Sequence, residues 1–165
     1  RRDAEQAVRV HEERLRLAMQ ATQQGWFDLN LLTGEVTVSP EYVRILGHDP
    51  VEFKSNMQTW VAGIHPEDRE QVLKSFAESI ESGESRESEY RRQTKTGEWV
   101  WIHSIGKVVE RDAAGRPSRM IGTHADISER KRTESNLNMA IEVAQVVLWE
   151  IDFRSEEHTS ELQSH

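Results

Sequence analysis

His103 and His124 have the first claim to chemistry in this chain. They flank Asp112 to Pro117, a segment rich in breakers that reads as the turn of a β-hairpin. If that hairpin closes over Asp112 to Gly115, the two imidazoles stand directly opposite each other on one sheet face. Such a pair can hold a metal weakly or sense protons near neutral pH. A register one residue away puts them on opposite faces, and two histidines fall short of a zinc set. A polar pair on a sheet face or dimer interface is the preferred reading, so no metal is expected.

Trp99 and Trp101 share a face by period-two spacing, as a pocket wall, a docking surface for helices, or ordinary sheet packing, since aromatics favour strands. With Trp26, which opens an alternating β-rich run, and the two histidines, they make up the candidate pocket or sheet-face residues. His65 precedes Pro66 at a helix start, where capping is its best role. His11 lies on a helix seam without the surroundings of a phospho-acceptor. The many Asp and Glu are interspersed with Lys and Arg in helices and turns, as solvated faces rather than acid–base pairs. No phosphate-cradling glycine loop, zinc helix or nucleophile elbow is present, so no catalytic residue is expected.

Composition narrows the classes further. The net charge of −8 over 165 residues disfavours nucleic acid as a partner, which calls for clustered Lys and Arg. The absence of cysteine excludes disulfides, thiolate metal sites and thiol nucleophiles within the chain, and fits a reducing, cytoplasmic setting. No apolar run is long enough to span a membrane. The first residue is Arg1, so the chain is expected to continue upstream.

The elements that must position these residues follow from periodicity. Ala4, Val8, His11, Leu15, Ala18 and Thr22 mark a thin heptad seam, giving an N-terminal linker helix over residues 1–24. Gly25 ends it. Two strands joined at Thr33-Gly34 come next, and then a short helix opened by Ser39 and Pro40. Residues 51–64 read as short helical turns. A longer helix begins at Pro66 and stops at Ser82-Gly83, with Val72, Leu73, Phe76, Ala77 and Ile80 giving its buried face. Strands near 86–94, 99–110 and 119–125 complete an α+β domain over residues 25–127, an antiparallel sheet with helices on one face.

Asp126, with Glu129 three residues later, forms an Asp version of the capping box and starts a second heptad helix over residues 128–147. Its seam runs through Ile127, Arg130, Glu134, Leu137, Ile141, Ala144 and Leu148. The pattern Leu15, Ala18, Met19, Gln23 recurs as Leu137, Ala140, Ile141, Gln145. The strand from Trp26 to Asn30 likewise has a counterpart in Leu148 to Asp152. Residues 148–153 are therefore expected to be the first strand of a second, truncated copy of the domain. From Arg154 to His165 the chain matches the in-frame translation of a sequencing-library adapter beginning AGATCGGAAGAGC, and residues 154–165 are expected to be an artefact of read-through.

The stretch from Leu15 to Lys131 resembles the PAS family with its C-terminal PAC motif, in the subclass common in bacterial sensor histidine kinases and diguanylate cyclases. The resemblance rests on Gly25 to Leu29, Tyr42 to Gly47, Ile64 to Arg69, Thr96 to Trp101 and Gly122 to Lys131 in that order. It implies a five-stranded antiparallel sheet flanked by short helices, with coiled-coil-like signalling helices at both ends. It implies a homodimer through those helices, and adjacent PAS and output domains in the same chain. Asp126-Ile127-Ser128 matches the family's Asp-Ile-Thr junction, which implies coupling of the sheet to the exit helix. The output implied is first a histidine kinase, then a diguanylate cyclase or phosphodiesterase. The alternative is a PAS domain that serves only as a ligand-free dimerisation spacer. Relatives that attach flavin to a cysteine lack a counterpart here, and haem-binding relatives place a histidine within the long helix, where this chain has none. Cysteinyl flavin is thus excluded, haem is disfavoured, and the identity of any small-molecule ligand is left open.

Overall fold

The computed structural model describes residues 1–162, with side chains through residue 157. Two compact units are present, Arg1–Ser128 and Glu129–His165. The first begins with helix α1 (Arg2–Ala21), none of whose residues is buried. The sheet contains β1 (Gly25–Asn30), β2 (Glu35–Val38), β3 (Ser55–Asn56), β4 (Arg86–Gln93), β5 (Trp99–Arg111) and β6 (Pro117–Asp126). All neighbours are antiparallel in the spatial order β3-β2-β1-β6-β5-β4. Helices α2 (Pro40–Ile45), α3 (Met57–Ala62) and α4 (Pro66–Ser82) connect the two halves. The sheet has six strands where five were expected. The extra one is only two residues long, pairing with Glu35 and Val36, too short to leave a period in the sequence.

The helix starts are fixed by side chains. The Ser39 hydroxyl accepts the N–H of Tyr42 at 3.3 Å and that of Trp26 at 2.9 Å, capping α2 and fastening it to β1. Asn56 and Thr59 form a reciprocal capping box on α3. His65 caps α4, its Nδ1 accepting the N–H of Glu67 at 3.2 Å. Gly83 ends α4 in the left-handed conformation at φ 71°, which costs glycine nothing.

Three buried clusters join sheet and helices. Tyr42, Val43 and Leu46 of α2 form one; Leu29, Val108 and Met120 on the sheet's inner face form another; Ile64, Val72, Tyr90 and Ile102 tie α4 to β4 and β5. Full burial of each such aliphatic side chain contributes about 1.5–3 kcal/mol.

Helix α5 (Ser128–Leu162) runs through residues 148–153, which corrects the expectation of a strand there. A lone strand has no pairing partner among the described residues, whereas a helix closes its own hydrogen bonds. Its Leu148, Trp149, Ile151 and Phe153 are exposed. Residues 154–162, the adapter-like stretch, continue the helix, and 163–165 lie outside the described residues. No helix among the described residues is long and apolar enough to cross a membrane.

Candidate functional site

The inner face of the sheet and helices α3 and α4 enclose a cavity of about 70 Å³. Phe27, Leu29, Val36, Met57, Phe76 and Met120 give it apolar walls. A polar seam of Ser75, Ser79, Ser88, Ser104, Tyr90 and His124 crosses it. The seam is wired together: Trp60 Nε1–H donates to the Tyr90 hydroxyl at 3.1 Å, and that oxygen lies 3.2 Å from His124 Nε2. Ser88 donates to Ser75 at 3.1 Å, and Ser79 to the Glu84 carbonyl at 3.1 Å.

His124 is buried, stacked on Tyr42 at 4.5 Å and edge-on to Phe27 at 5.4 Å. Burial, and then the positive charge of Arg92, push its pKa well below the ordinary value, so the ring is neutral. Burial likewise pushes the Tyr90 phenol up to about 12. Arg92 is itself buried, with Nη1 donating to the Tyr42 hydroxyl at 3.1 Å and Nε lacking a partner.

The hairpin closes one residue later than the symmetric register. Asp112 N–H bonds the Arg116 carbonyl at 2.8 Å, leaving Ser104 opposite His124 and His103 opposite Ala125. The two histidines therefore occupy opposite faces and form no pair. His103 sits on the outer face, its Nε2 3.0 Å from a Glu87 carboxylate oxygen. Trp26 and Trp99 lie on that same outer face, 39% and 41% exposed, so neither lines the cavity. Trp99 meets the edge of His65 at 4.5 Å. Of the five candidates only His124 reaches the cavity.

Trp101, also outer, has a different role. The Arg91 guanidinium lies over its ring, 5.3 Å from the centroid. Arg91 also grips the start of α4: its Nε and Nη2 donate to the two oxygens of Asp68 at 2.9 and 2.7 Å, and Nη2 reaches Glu67 at 2.9 Å. These hydrogen bonds hold the Asp68 carboxyl below its ordinary pKa. The backbone of Trp101 in turn holds the junction. Ile127 N–H donates to its carbonyl at 2.9 Å, and its own N–H donates to the Ser128 hydroxyl at 3.0 Å. Asp126 accepts the Ser128 N–H at 2.8 Å, one residue short of the Glu129 position that the capping signal marked.

Tyr42, Trp60, Tyr90 and Arg92 were missed as site residues. The signal for two of them was present: Ser88, Tyr90 and Arg92 alternate with Glu87, Glu89 and Arg91, and taking Tyr90 as the buried anchor turns Ser88 and Arg92 inward.

An antiparallel sheet with a helix-covered inner cavity, leading through an Asp-Ile-Ser junction into a long helix, defines a sensory domain of the PAS type. The family model for the PAS fold matches residues 35–124, more than half of the sequence, and the chain belongs to that family. It is 27% identical over 124 residues to a blue-light-activated histidine kinase of Brucella anthropi, covering 75% of this chain and 24% of that one. The chain thus spans about a quarter of the length of such relatives. A crystal structure of a sensory box histidine kinase/response regulator from Burkholderia thailandensis E264 superposes with a TM-score of 0.71 at 32% identity, covering 80% of this chain and 98% of that one. The N-terminal domain of a diguanylate cyclase with a PAS/PAC sensor from Marinobacter aquaeolei gives 0.59 at 29% identity, covering 66% and 98%.

Cysteinyl flavin, raised by the family resemblance, does not fit the residues present. The cavity is far below the ~300–1,000 Å³ of pockets for ligands of that size, and no cysteine is available for an adduct.

Proposed function

We propose that this chain is the sensory and signal-relay PAS module of a cytoplasmic, multidomain two-component sensor histidine kinase, and itself catalyses nothing. The carrying observation is the clamp of Ile127 and Ser128 on the backbone of Trp101. Helix α4 walls the cavity through Val72, Ser75, Phe76 and Ser79. Its first turn is held by Arg91, Arg91 lies over Trp101, and Trp101 holds the first residues of α5. A shift of α4 thereby alters the start of the exit helix.

Ser128→Ala tests this. The loss of one partly buried hydrogen bond costs about 1 kcal/mol and leaves the PAS fold intact. Fused in heptad register to a histidine-kinase core without its own sensor, the variant is expected to change autophosphorylation at least threefold relative to the parent fusion. Equal rates in the two fusions would remove the coupling role.

The flanking helices are the dimer contact in this reading. Val8 and Leu15 of α1, and Leu137, Ile141 and Leu148 of α5, follow heptad spacing and are all about half exposed or more. Sedimentation equilibrium should give a dimer, and Leu137→Glu with Ile141→Glu should shift it toward monomer. A monomeric parent chain at high micromolar concentration would contradict the dimer.

A further inference from the structure

We infer that the inner cavity takes an uncharged, largely apolar ligand of at most about benzene size. This rests on the sensory reading above and specifies what is sensed.

Three observations carry it. The first is size. The 70 Å³ cavity is about half the ~150 Å³ of an engineered apolar cavity that binds benzene and xenon. Met57 and Met120, unbranched and adaptable, form part of its wall, so a modest expansion needs only side-chain motion.

The second is the absence of acceptors for a charge. No Asp, Glu or Lys lines the cavity. The one lining cation, Arg86, is 43% exposed and faces Glu78 at 3.6 Å. Arg92 is not among the lining residues, and its Nη1 donates to the Tyr42 hydroxyl. An ion entering here would lose its hydration with only Arg86, already facing Glu78, to compensate it.

The third is that most of the polar seam is already paired. Trp60, Tyr90 and His124 bond in sequence, as do Ser88 with Ser75, and Ser79 with Glu84. What the cavity has left to offer is apolar contact. A ligand can also borrow one hydrogen bond from a serine, which is why small alcohols and phenols fall within the class and carboxylates outside it.

The test uses the full chain, with xenon and benzene as uncharged probes and acetate and benzoate as charged ones of similar size. The Trp60 indole N–H resonance, at the cavity wall, is the readout. Xenon and benzene are expected to shift it saturably, while acetate and benzoate leave it in place at equal concentration. Ser75→Leu and Met57→Phe fill the space from different walls, and either variant that keeps the parental circular dichroism should reduce the response at least tenfold. The inference is overturned if acetate or benzoate moves the resonance at lower concentration than benzene. It is overturned equally if neither uncharged probe moves it, or if filled, folded variants respond like the parent. Saturable shifts at Trp60 with no change at the amides of Trp101, Ile127 and Ser128 would uphold the ligand class and count against the relay.

Discussion

Gly122→Ala is expected to destabilise the domain by about 3 kcal/mol or more, a large share of the roughly 5–15 kcal/mol that holds a domain folded. A Cβ at this position would lie 2.1 Å from the Ile105 carbonyl oxygen and 2.4 Å from the Phe27 ring. The carbonyl belongs to β5, hydrogen-bonded on both sides, so the backbone cannot yield. Phe27 sits directly across from Gly122 on β1, and Gly106 lies across from it on β5, so the ring covers a cross-strand glycine pair. Gly106→Ala is the control. Its Cβ would be 3.2 Å from the flexible Met120 sulfur and 3.5 Å from Phe27, and the loss should be smaller. Urea unfolding of the three proteins measures the difference. Equal midpoints for Gly122→Ala and the parent would show that the strand contact is not as tight as described.

The second large effect is a dependence on pH set by His124. Its folded pKa is depressed by burial and by Arg92, against an ordinary value of 6.5 in the unfolded chain. Above pH 6.5 neither state binds the proton, and the buried neutral ring costs nothing extra. As pH falls below 6.5 the unfolded state takes up a proton that the folded state refuses, and stability is lost down to the folded pKa. The slope approaches about 1.4 kcal/mol per pH unit for this one group, and the loss between pH 7.5 and 5.5 is about 1.4 kcal/mol. The quantity of interest is the difference between the parent and His124→Gln, in which the contributions of all other groups cancel. The variant should be less stable at pH 7.5, having lost the stack on Tyr42, but should show a flatter profile down to pH 5.5. Parallel profiles would mean that His124 is reached by water and protonates in the folded state. Carboxylates such as Asp68, with depressed pKa values, contribute stability that is lost only at lower pH, so the two regimes separate.

Much of the fold is local and was readable. The Ser39 cap, the Pro66 helix start and the Gly83 stop are each decided within a few residues, and each appears where its local chemistry puts it. The site was less readable. The outer-face tryptophans attracted attention because large aromatics stand out in a sequence. The residues that line the cavity include five serines, which do not stand out at all. Strand β4 reads as mostly polar, and Tyr90 alone marks the side on which Ser88 and Arg92 face α4, opposite Glu87, Glu89 and Arg91.

The histidine pair shows the division most plainly. The sequence by itself determined that both residues lie in neighbouring strands of one hairpin, because strand periodicity and turn chemistry are local properties. Whether they meet depended on a single residue of register, and that was decided by the turn closing on Asp112 and Arg116 and by how β6 packs against β1. Side chains alternate between faces with period two, so one residue is the whole difference between a surface pair and one buried, neutral imidazole in a cavity wall. The cavity is likewise a property of the tertiary structure alone. It exists because side chains from β1, β4, β5, β6, α3 and α4 fail to fill the space between them, and no segment encodes that shortfall on its own.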